Sequence, residues 1–238
     1  METYSSSNNR EEVKEIGKLK SNGDEKGIDE NKGNQTSRAI CKISYKNKYC
    51  TGFFMNMDSF KLLITNYHII SEEMLNETIK IEMYNKKVKI INLDKNSRFI
   101  EFYKNPLDIT VIQINDKDVI EYVDFLDYDT NYSQGYTQYN EENIFASGYP
   151  FGKNLVTVSG RITSVPNSYE FRHDIATDIG SSGSPIILLS NSKVIGVSKR
   201  SYDNFKIGTF IGIIIDKLQN LNNMNPKGKL YYCRNISY

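Results

Sequence analysis

From residue 38 onward, the sequence alternates short apolar runs with polar turns. The runs are rich in Ile, Val, Phe and Tyr, and clusters of Asn, Lys, Asp and Gly separate them. Short runs of β-branched and aromatic residues between such turns are typical of strands. Strands are therefore predicted over residues 39–45, 49–56, 61–65, 79–84, 87–93, 99–103, 109–114, 144–148, 155–164, 170–175, 185–189, 194–198 and 207–215. This spacing predicts an all-β sandwich or barrel.

The same pattern divides the chain into a tail and two β-rich halves. Residues 1–36 are polar, and a segment that cannot bury apolar surface is expected to be disordered. A polar, Tyr-rich linker over residues 127–142 separates the two sets of strands. We therefore predict one unit over residues 37–133 and a second over residues 134–238. A closing helix is predicted over residues 216–223, with Asp216 as its N-cap.

Composition and charge narrow the range of partners. The chain is 39% hydrophobic and 25% charged, with a net charge of +1, so neither nucleic acid nor an anionic membrane surface is expected as a partner. No apolar run approaches the roughly 18 residues of a membrane span, and the first residues lack the apolar core of a signal peptide. Cys41 and Cys50 are offset in the predicted hairpin, so no disulfide is expected. These features favour an intracellular, cytoplasmic protein, with a monomer as the simplest state.

The candidate chemistry begins with the turn at residues 180–185, Gly-Ser-Ser-Gly-Ser-Pro. Glycine allows backbone dihedrals and close approaches that other residues avoid. A serine on such a turn is exposed beside backbone N–H groups, which suits a nucleophile next to an oxyanion hole. Taken alone, the stretch favours a simple Gly/Ser hairpin turn, and the rest of the chain changes that interpretation.

A serine nucleophile needs a base, and the chain has two histidines. His68 follows the apolar run 61–65, and Asp108 precedes the run 109–114, so an imidazole and an orienting carboxylate are available. The alternative is that both residues only cap strands. His173 is expected at the surface, and no histidine or cysteine shows metal-ligand spacing, so neither a metal nor a cofactor is expected. Three carboxylates in polar turns are rivals for the orienting role: Asp94, Asp116 and Asp118.

These stretches resemble the motifs of chymotrypsin-like serine proteases. Residues 180–185 resemble the family's Gly-Asp-Ser-Gly-Gly-Pro, and more closely the Gly-Asn-Ser-Gly-Ser-Pro of bacterial glutamyl endopeptidases. Residues 65–68 are similar to Thr-Ala-Ala-His, and residues 108–111 are similar to Asp-Ile-Ala-Leu. Residues 148–152 resemble a Gly-x-Pro-Phe-Gly motif of HtrA-like members. The order His, Asp, Ser is that of chymotrypsin.

The resemblance implies two Greek-key β-barrels with an active site in the cleft between them. His68, Asp108 and Ser182 would form a catalytic triad, and the N–H groups of Gly180 and Ser182 would form the oxyanion hole. The chain would then be a serine endopeptidase that acts on polypeptides through an acyl-enzyme. A non-catalytic protein-binding module on the same fold is the main alternative, and an esterase-like activity is a second one.

The chain departs from the trypsin pattern at the position before the nucleophile. Ser181 stands where the family has the Asp that pairs with a new N-terminus on zymogen activation. No Ile-Val-Gly-Gly start exists either. The resemblance therefore implies a site that forms as synthesised, without proteolytic activation.

A second departure concerns the substrate pocket. Ala176 occupies the place of the trypsin pocket Asp, so cleavage after Lys or Arg is not expected. Thr177 matches a pocket Thr of glutamyl endopeptidases, whereas Ser198 replaces their pocket His. Arg200 falls on the same face as Ser198 if the strand is regular, and it would contact an acidic P1 side chain. The alternative interpretation is that Lys199 and Arg200 form the solvated end of the strand. We predict that P1 is uncharged or acidic.

Overall fold

The computed structural model describes residues 30–58, 60–118, 123–202 and 205–224, which form thirteen strands and two α-helices. The helices are α1 (Glu30–Arg38) and α2 (Gly212–Met224). The strands before residue 120 are β1 (Ile40–Tyr45), β2 (Lys48–Met57), β3 (Phe60–Thr65), β4 (Thr78–Met83), β5 (Val88–Asn92), β6 (Ile100–Tyr103) and β7 (Ile109–Gln113). Those after it are β8 (Asn143–Gly148), β9 (Val156–Ser164), β10 (Glu170–His173), β11 (Pro185–Leu188), β12 (Val194–Ser201) and β13 (Lys206–Phe210).

The first seven strands form one sheet that curves into a half-barrel rather than the closed barrel predicted. Its order is β5-β4-β1-β2-β3-β7-β6, and all neighbours are antiparallel. One face buries a cluster that includes Ile43, Phe54, Leu63, Ile81 and Ile112. Because β3 and β7 run antiparallel, the end of β3 and the start of β7 lie at the same edge of the sheet.

The last six strands close into a barrel in the order β10-β13-β12-β11-β8-β9. Its interior holds apolar side chains from every strand, among them Ile144, Ile162, Phe171, Ile186, Ile195 and Phe210. A third apolar cluster joins the two sheets and includes Phe53, Ile64, Phe145, Val197 and Ile214. This mostly-β arrangement of two barrel-like sheets confirms the predicted fold class.

The closing helix begins earlier than the sequence predicted. Residues 212–215 were expected to continue a strand, but α2 starts at Gly212, and Asp216 lies within the helix instead of capping it. Ile214, Ile215 and Leu218 are buried at helical spacing against the core between the sheets. A short, continuously apolar run is compatible with both the strand period of 2 and the helix period of 3.6, and here the packing against the core selects the helix.

The predicted tail also contains structure near its end. Helix α1 covers residues 30–38, so the prediction of disorder is wrong for residues 30–36, whereas residues 1–29 lie outside the described residues. Thr36 is buried, its carbonyl accepts a hydrogen bond from the Ala39 amide at 3.0 Å, and Arg38 pairs with Asp124 at 2.6 Å. The hydrogen bond closes the turn between the helix and β1, and the ion pair links the end of the helix to the segment that follows β7.

The β1–β2 hairpin places Cys41 opposite Gly52 and Cys50 opposite Ile43. The two cysteines are therefore offset by two residues and are not bridged, as predicted, and the structure shows that both are buried. Among the described helices, none is long and apolar enough to span a membrane.

Candidate active site

His68 and Asp108 meet at the sheet edge where β3 ends and β7 begins. His68 lies in the turn after β3, and Asp108 directly precedes β7. Asp108 Oδ2 lies 2.7 Å from His68 Nδ1, and Oδ1 accepts a hydrogen bond from the His68 backbone N–H at 2.8 Å. An ionised carboxylate only accepts, so Nδ1 donates and Nε2 is left as the acceptor of the neutral ring. The Asp108 side chain is 7% exposed and that of His68 is 43% exposed.

The backbone at Asp108 is held as firmly as its side chain. The Asp108 carbonyl accepts hydrogen bonds from the Tyr67 amide at 3.1 Å and from Asn66 Nδ2 at 3.0 Å. Its φ of 56° lies in the left-handed region, which a residue other than glycine adopts only when its surroundings impose it. The turn that carries His68 and the residue before β7 therefore form one hydrogen-bonded unit.

Ser182 lies in the loop between β10 and β11, on a turn that two glycines make possible. Gly180 and Gly183 have φ angles of 95° and 87°. The Ser181 amide donates to the Asp178 carbonyl at 3.0 Å, and the Ser181 hydroxyl accepts from the Asp178 amide at 3.4 Å. Within the described residues, the amides of Gly180 and Ser182 donate to no protein acceptor. These two amides, beside a partly exposed serine, are therefore available to hydrogen-bond a substrate oxygen.

Thr51 of β2 ties the serine turn to the first sheet. The Thr51 amide donates to the Ser182 carbonyl at 3.0 Å, and the Thr51 hydroxyl donates to the Gly180 carbonyl at 2.9 Å. The same hydroxyl accepts from the Tyr149 amide at 2.9 Å. The Thr51 carbonyl accepts from the hydroxyl of Thr65, three residues before His68. Two hydrogen bonds through Thr51 thus connect the backbone of Ser182 to the strand that leads into His68.

Gly183 permits this close approach. A Cβ atom at position 183 would lie 2.1 Å from the Thr51 carbonyl oxygen and 2.6 Å from the Thr65 hydroxyl. Both distances are well below van der Waals contact, so a side chain here would push the serine turn away from β2 and β3. The motif at residues 180–185 predicts a turn at Gly183, whereas no signal in the sequence points to Thr51 as its anchor.

A cavity of about 300 Å³ opens beside Ser182. Of the predicted pocket residues, Thr177, Ser198 and Arg200 line it, whereas Ala176 is exposed and is not part of its wall. The remaining lining residues are Asp178, Ile179, Ser181, Ser182, Lys199 and Ser201. The cavity wall therefore carries hydroxyl groups together with two cationic residues, Lys199 and Arg200, and one anionic residue, Asp178.

The strand that forms one side of this cavity is not regular. The pairing of β12 with β13 shifts between Ser198 and Arg200, so Lys199 is the extra residue of a β-bulge. The Lys199 side chain is 3% exposed, and its Nζ atom lies 2.5 Å from Glu170 Oε1. The expectation that Lys199 belongs to a solvated strand end is therefore wrong. Arg200 is exposed, and its guanidinium lies 3.4 Å from the Tyr202 hydroxyl.

His173 lies in the interior of the second barrel, not at the surface as predicted. It is fully buried, neither ring nitrogen has a hydrogen-bond partner among the described residues, and burial lowers the pKa of its imidazole to about 4. Two of the rival carboxylates are engaged elsewhere. Asp118 pairs with Arg98 at 2.9 Å, and Asp94 accepts from the Asn96 amide at 2.8 Å.

Comparison with known proteins decides the family. Residues 50–197 match the trypsin-like peptidase domain family, and this match spans more than half of the chain. The chain belongs to this family. Membership confirms the resemblance found in the sequence and the predicted enzyme class, a serine endopeptidase. No curated protein matches the chain.

Solved structures with the same fold include a serine endoprotease from Yersinia pestis, with a TM-score of 0.62 and 14% identity. The match covers 81% of this chain but only 65% of that protein. An inactive form of Rv3671c from M. tuberculosis H37Rv matches with a TM-score of 0.59 and 17% identity, over 84% of this chain and 95% of that one. A further structure of the Rv3671c protease, also inactive, has a TM-score of 0.56 and 18% identity, over 78% and 89%. At these identities the likeness concerns the fold alone.

Proposed function

We propose that this member of the family hydrolyses peptide bonds through His68, Asp108 and Ser182. The observation that carries the proposal is the double contact of the Asp108 carboxylate with His68. One oxygen holds the backbone and the other holds Nδ1, so the ring is fixed with Nε2 available as a base. That is the role of the orienting carboxylate in a serine protease triad.

In the proposed acylation step, Ser182 Oγ attacks the peptide carbonyl carbon while its proton passes to His68 Nε2. The negative charge that develops on the carbonyl oxygen is stabilised by the free N–H groups of Gly180 and Ser182. The imidazolium then gives its proton to the leaving amine, the C–N bond breaks, and an ester to Ser182 remains. Asp108 stabilises the imidazolium in this step and does not take the proton itself.

Deacylation repeats the sequence with water as the nucleophile. His68 Nε2 takes a proton from the water, whose oxygen attacks the ester carbonyl in the same oxyanion hole. The proton returns to Ser182 Oγ as the C–O bond breaks, which releases the carboxylic acid product and the free enzyme.

We further propose that the site needs no zymogen-type activation. In this chain the turn before the nucleophile is closed locally, by the two hydrogen bonds between Ser181 and Asp178, and from β2 by Thr51. These contacts take the place of an ion pair with a new N-terminus. The amides of Gly180 and Ser182 are accordingly oriented without a processed chain end.

The same cavity supports a proposal on specificity: P1 is uncharged or acidic. Thr177 and Ser198 offer hydroxyl groups, and Arg200 offers a charge-assisted hydrogen bond to a carboxylate. The ammonium group of Lys199 is directed to Glu170 and does not serve the substrate. Asp178, also part of the wall, is the one residue here that would favour a basic side chain instead.

A peptide-library profile separates these possibilities. Acidic or uncharged P1 residues are expected, with Arg200→Ala weakening the acidic preference. A profile dominated by Lys or Arg, lost in Asp178→Asn, would contradict the proposal and would assign the pocket to Asp178.

The triad is tested by kinetics on Ser182→Ala and His68→Ala. Because triad members act together, each loss is expected to lower kcat by up to about a million-fold. Ser168→Ala is a matched control, since Ser168 is an exposed serine in the loop before β10. Near-normal turnover in folded Ser182→Ala would assign the nucleophile elsewhere.

A further inference from the structure

The starting observation is a buried lysine that reaches from one barrel to the other. Lys199 belongs to β12 of the second barrel, and its Nζ atom contacts Glu170 Oε1 of β10 and the backbone carbonyl of Pro106 in the first half-barrel. A lysine that is only 3% exposed must have partners for its charge. Glu170 supplies the counter-charge, and the Pro106 carbonyl is a second acceptor only two residues before Asp108.

The alternation of β12 explains why this lysine points toward the first half-barrel. The strand is covered on both faces: Ile195 packs inside the second barrel, and Val197 packs in the cluster between the two sheets. Lys199 follows Val197 by two residues and so lies on the side of the first half-barrel, at the point where the pairing of β12 with β13 shifts. Bulges are frequent beside active sites, where they redirect a side chain.

Three successive carbonyls before β7 accept hydrogen bonds, and two of the donors come from the second barrel. Lys199 Nζ contacts the Pro106 carbonyl, and the Thr209 hydroxyl donates to the Leu107 carbonyl at 2.8 Å. The Asp108 carbonyl is held from within the first sheet by Tyr67 and Asn66. The left-handed backbone at Asp108 is thus fixed from both sides of the cleft.

We propose that Lys199, supported by Glu170 and assisted by Thr209, is a positioning residue that aims the Asp108 carboxylate at His68. This inference rests on the proposed function, since it assigns Asp108 the orienting role. Lys199 lines part of the cavity, but its ammonium group is engaged by Glu170 and the Pro106 carbonyl, so we assign it no contact with the reacting atoms. It connects the strand that lines the cavity to the turn that presents Asp108, so the catalytic geometry depends on contact between the two barrels.

The test is Lys199→Met, which keeps the length of the side chain and removes the charge. Misplacing a catalytic group by about 1 Å costs about 100-fold in rate, so we expect kcat to fall about 10- to 100-fold while KM stays within about threefold. Lys42→Met is the matched control. It removes a partly buried Lys–Glu pair, Lys42–Glu82 at 3.0 Å, between β1 and β4, and is expected to change kcat less than about twofold.

A second measurement does not depend on turnover. The His68 Nδ1 proton, shared with Asp108, is expected to give a far-downfield proton NMR signal in the wild-type protein and in Lys42→Met. The signal should shift or disappear in Lys199→Met. A wild-type protein that shows the signal but cleaves no substrate would refute the proposed function. The inference about Lys199 would then be decided by the NMR comparison of wild type, Lys42→Met and Lys199→Met alone.

Folded Lys199→Met with an unchanged signal would overturn the inference, even if kcat were low, because the defect would then lie away from Asp108. If Lys199→Met does not fold, Thr209→Val takes its place. This nearly isosteric change removes only the hydrogen bond to the Leu107 carbonyl and is expected to move the same signal. An unmoved signal in Thr209→Val would then overturn the inference.

Discussion

Thr51→Val removes the hydroxyl that links the serine turn to β2, and its effect can be worked out from the structure. The substitution preserves shape, and Thr51 is fully buried. It deletes two hydrogen bonds, to the Gly180 carbonyl and from the Tyr149 amide, both of 2.9 Å. A buried polar group left without a partner costs about 1–3 kcal/mol, so the two together predict a loss of about 2–6 kcal/mol in the free energy of unfolding.

Activity should fall as well, because the orphaned Gly180 carbonyl belongs to the turn that carries the proposed oxyanion donors. Removing one such donor costs about 100- to 1,000-fold in kcat, and we expect Thr51→Val to fall in or somewhat below that range. Urea unfolding and peptide hydrolysis measure the two effects. Thr51→Ser, which keeps the hydroxyl, is the control. If Thr51→Val and Thr51→Ser agreed within about 1 kcal/mol and in kcat, the reasoning about this link would be refuted.

Two further predictions concern regions outside the catalytic turns. Burial holds the pKa of His173 at about 4, whereas an unfolded histidine titrates near 6.5, so the unfolded state binds more protons between these values. The free energy of unfolding of the native protein should therefore fall by up to about 3 kcal/mol as pH falls from 6.5 through 4, and that of His173→Phe should fall by less. Urea unfolding at several pH values measures both, and equal decreases in the two proteins would contradict this prediction. Deleting residues 1–29 should leave kcat/KM within a few-fold of the full-length value and should not change Tm. Deleting residues 1–38 should lower Tm, because it removes α1 and the Arg38–Asp124 ion pair. A Tm that is equal in the two truncated chains would show that α1 does not stabilise the fold.

The parts of the site that short motifs carry could be predicted. His68 and Asp108 are 40 residues apart, and it was the resemblance of their stretches to family motifs that paired them; the antiparallel pairing of β3 with β7 brings them together in the structure. The glycines around Ser182 predict a turn with unusual dihedrals, and in the structure Gly180 and Gly183 have φ angles of 95° and 87°. In each case a short pattern determines the local geometry.

The parts that depend on distant contacts could not be predicted. Lys199 and Glu170 are separated by 29 residues, and no local pattern shows that β12 is covered on both faces or that a bulge interrupts it at Lys199. His173 looked like a surface residue because nothing in its neighbours reveals the closed barrel around it. The start of α2 was missed because the run 211–215 fits a buried strand as well as a helix until it meets the core.

The central claim is that Ser182 is a nucleophile activated by His68. It is tested most directly by labelling the wild-type protein with a fluorophosphonate, followed by mass spectrometry of the digested product. The account predicts a single adduct on the peptide that contains Ser182, and little or none in His68→Ala. An adduct on another residue, or a folded protein that remains unlabelled, would contradict it.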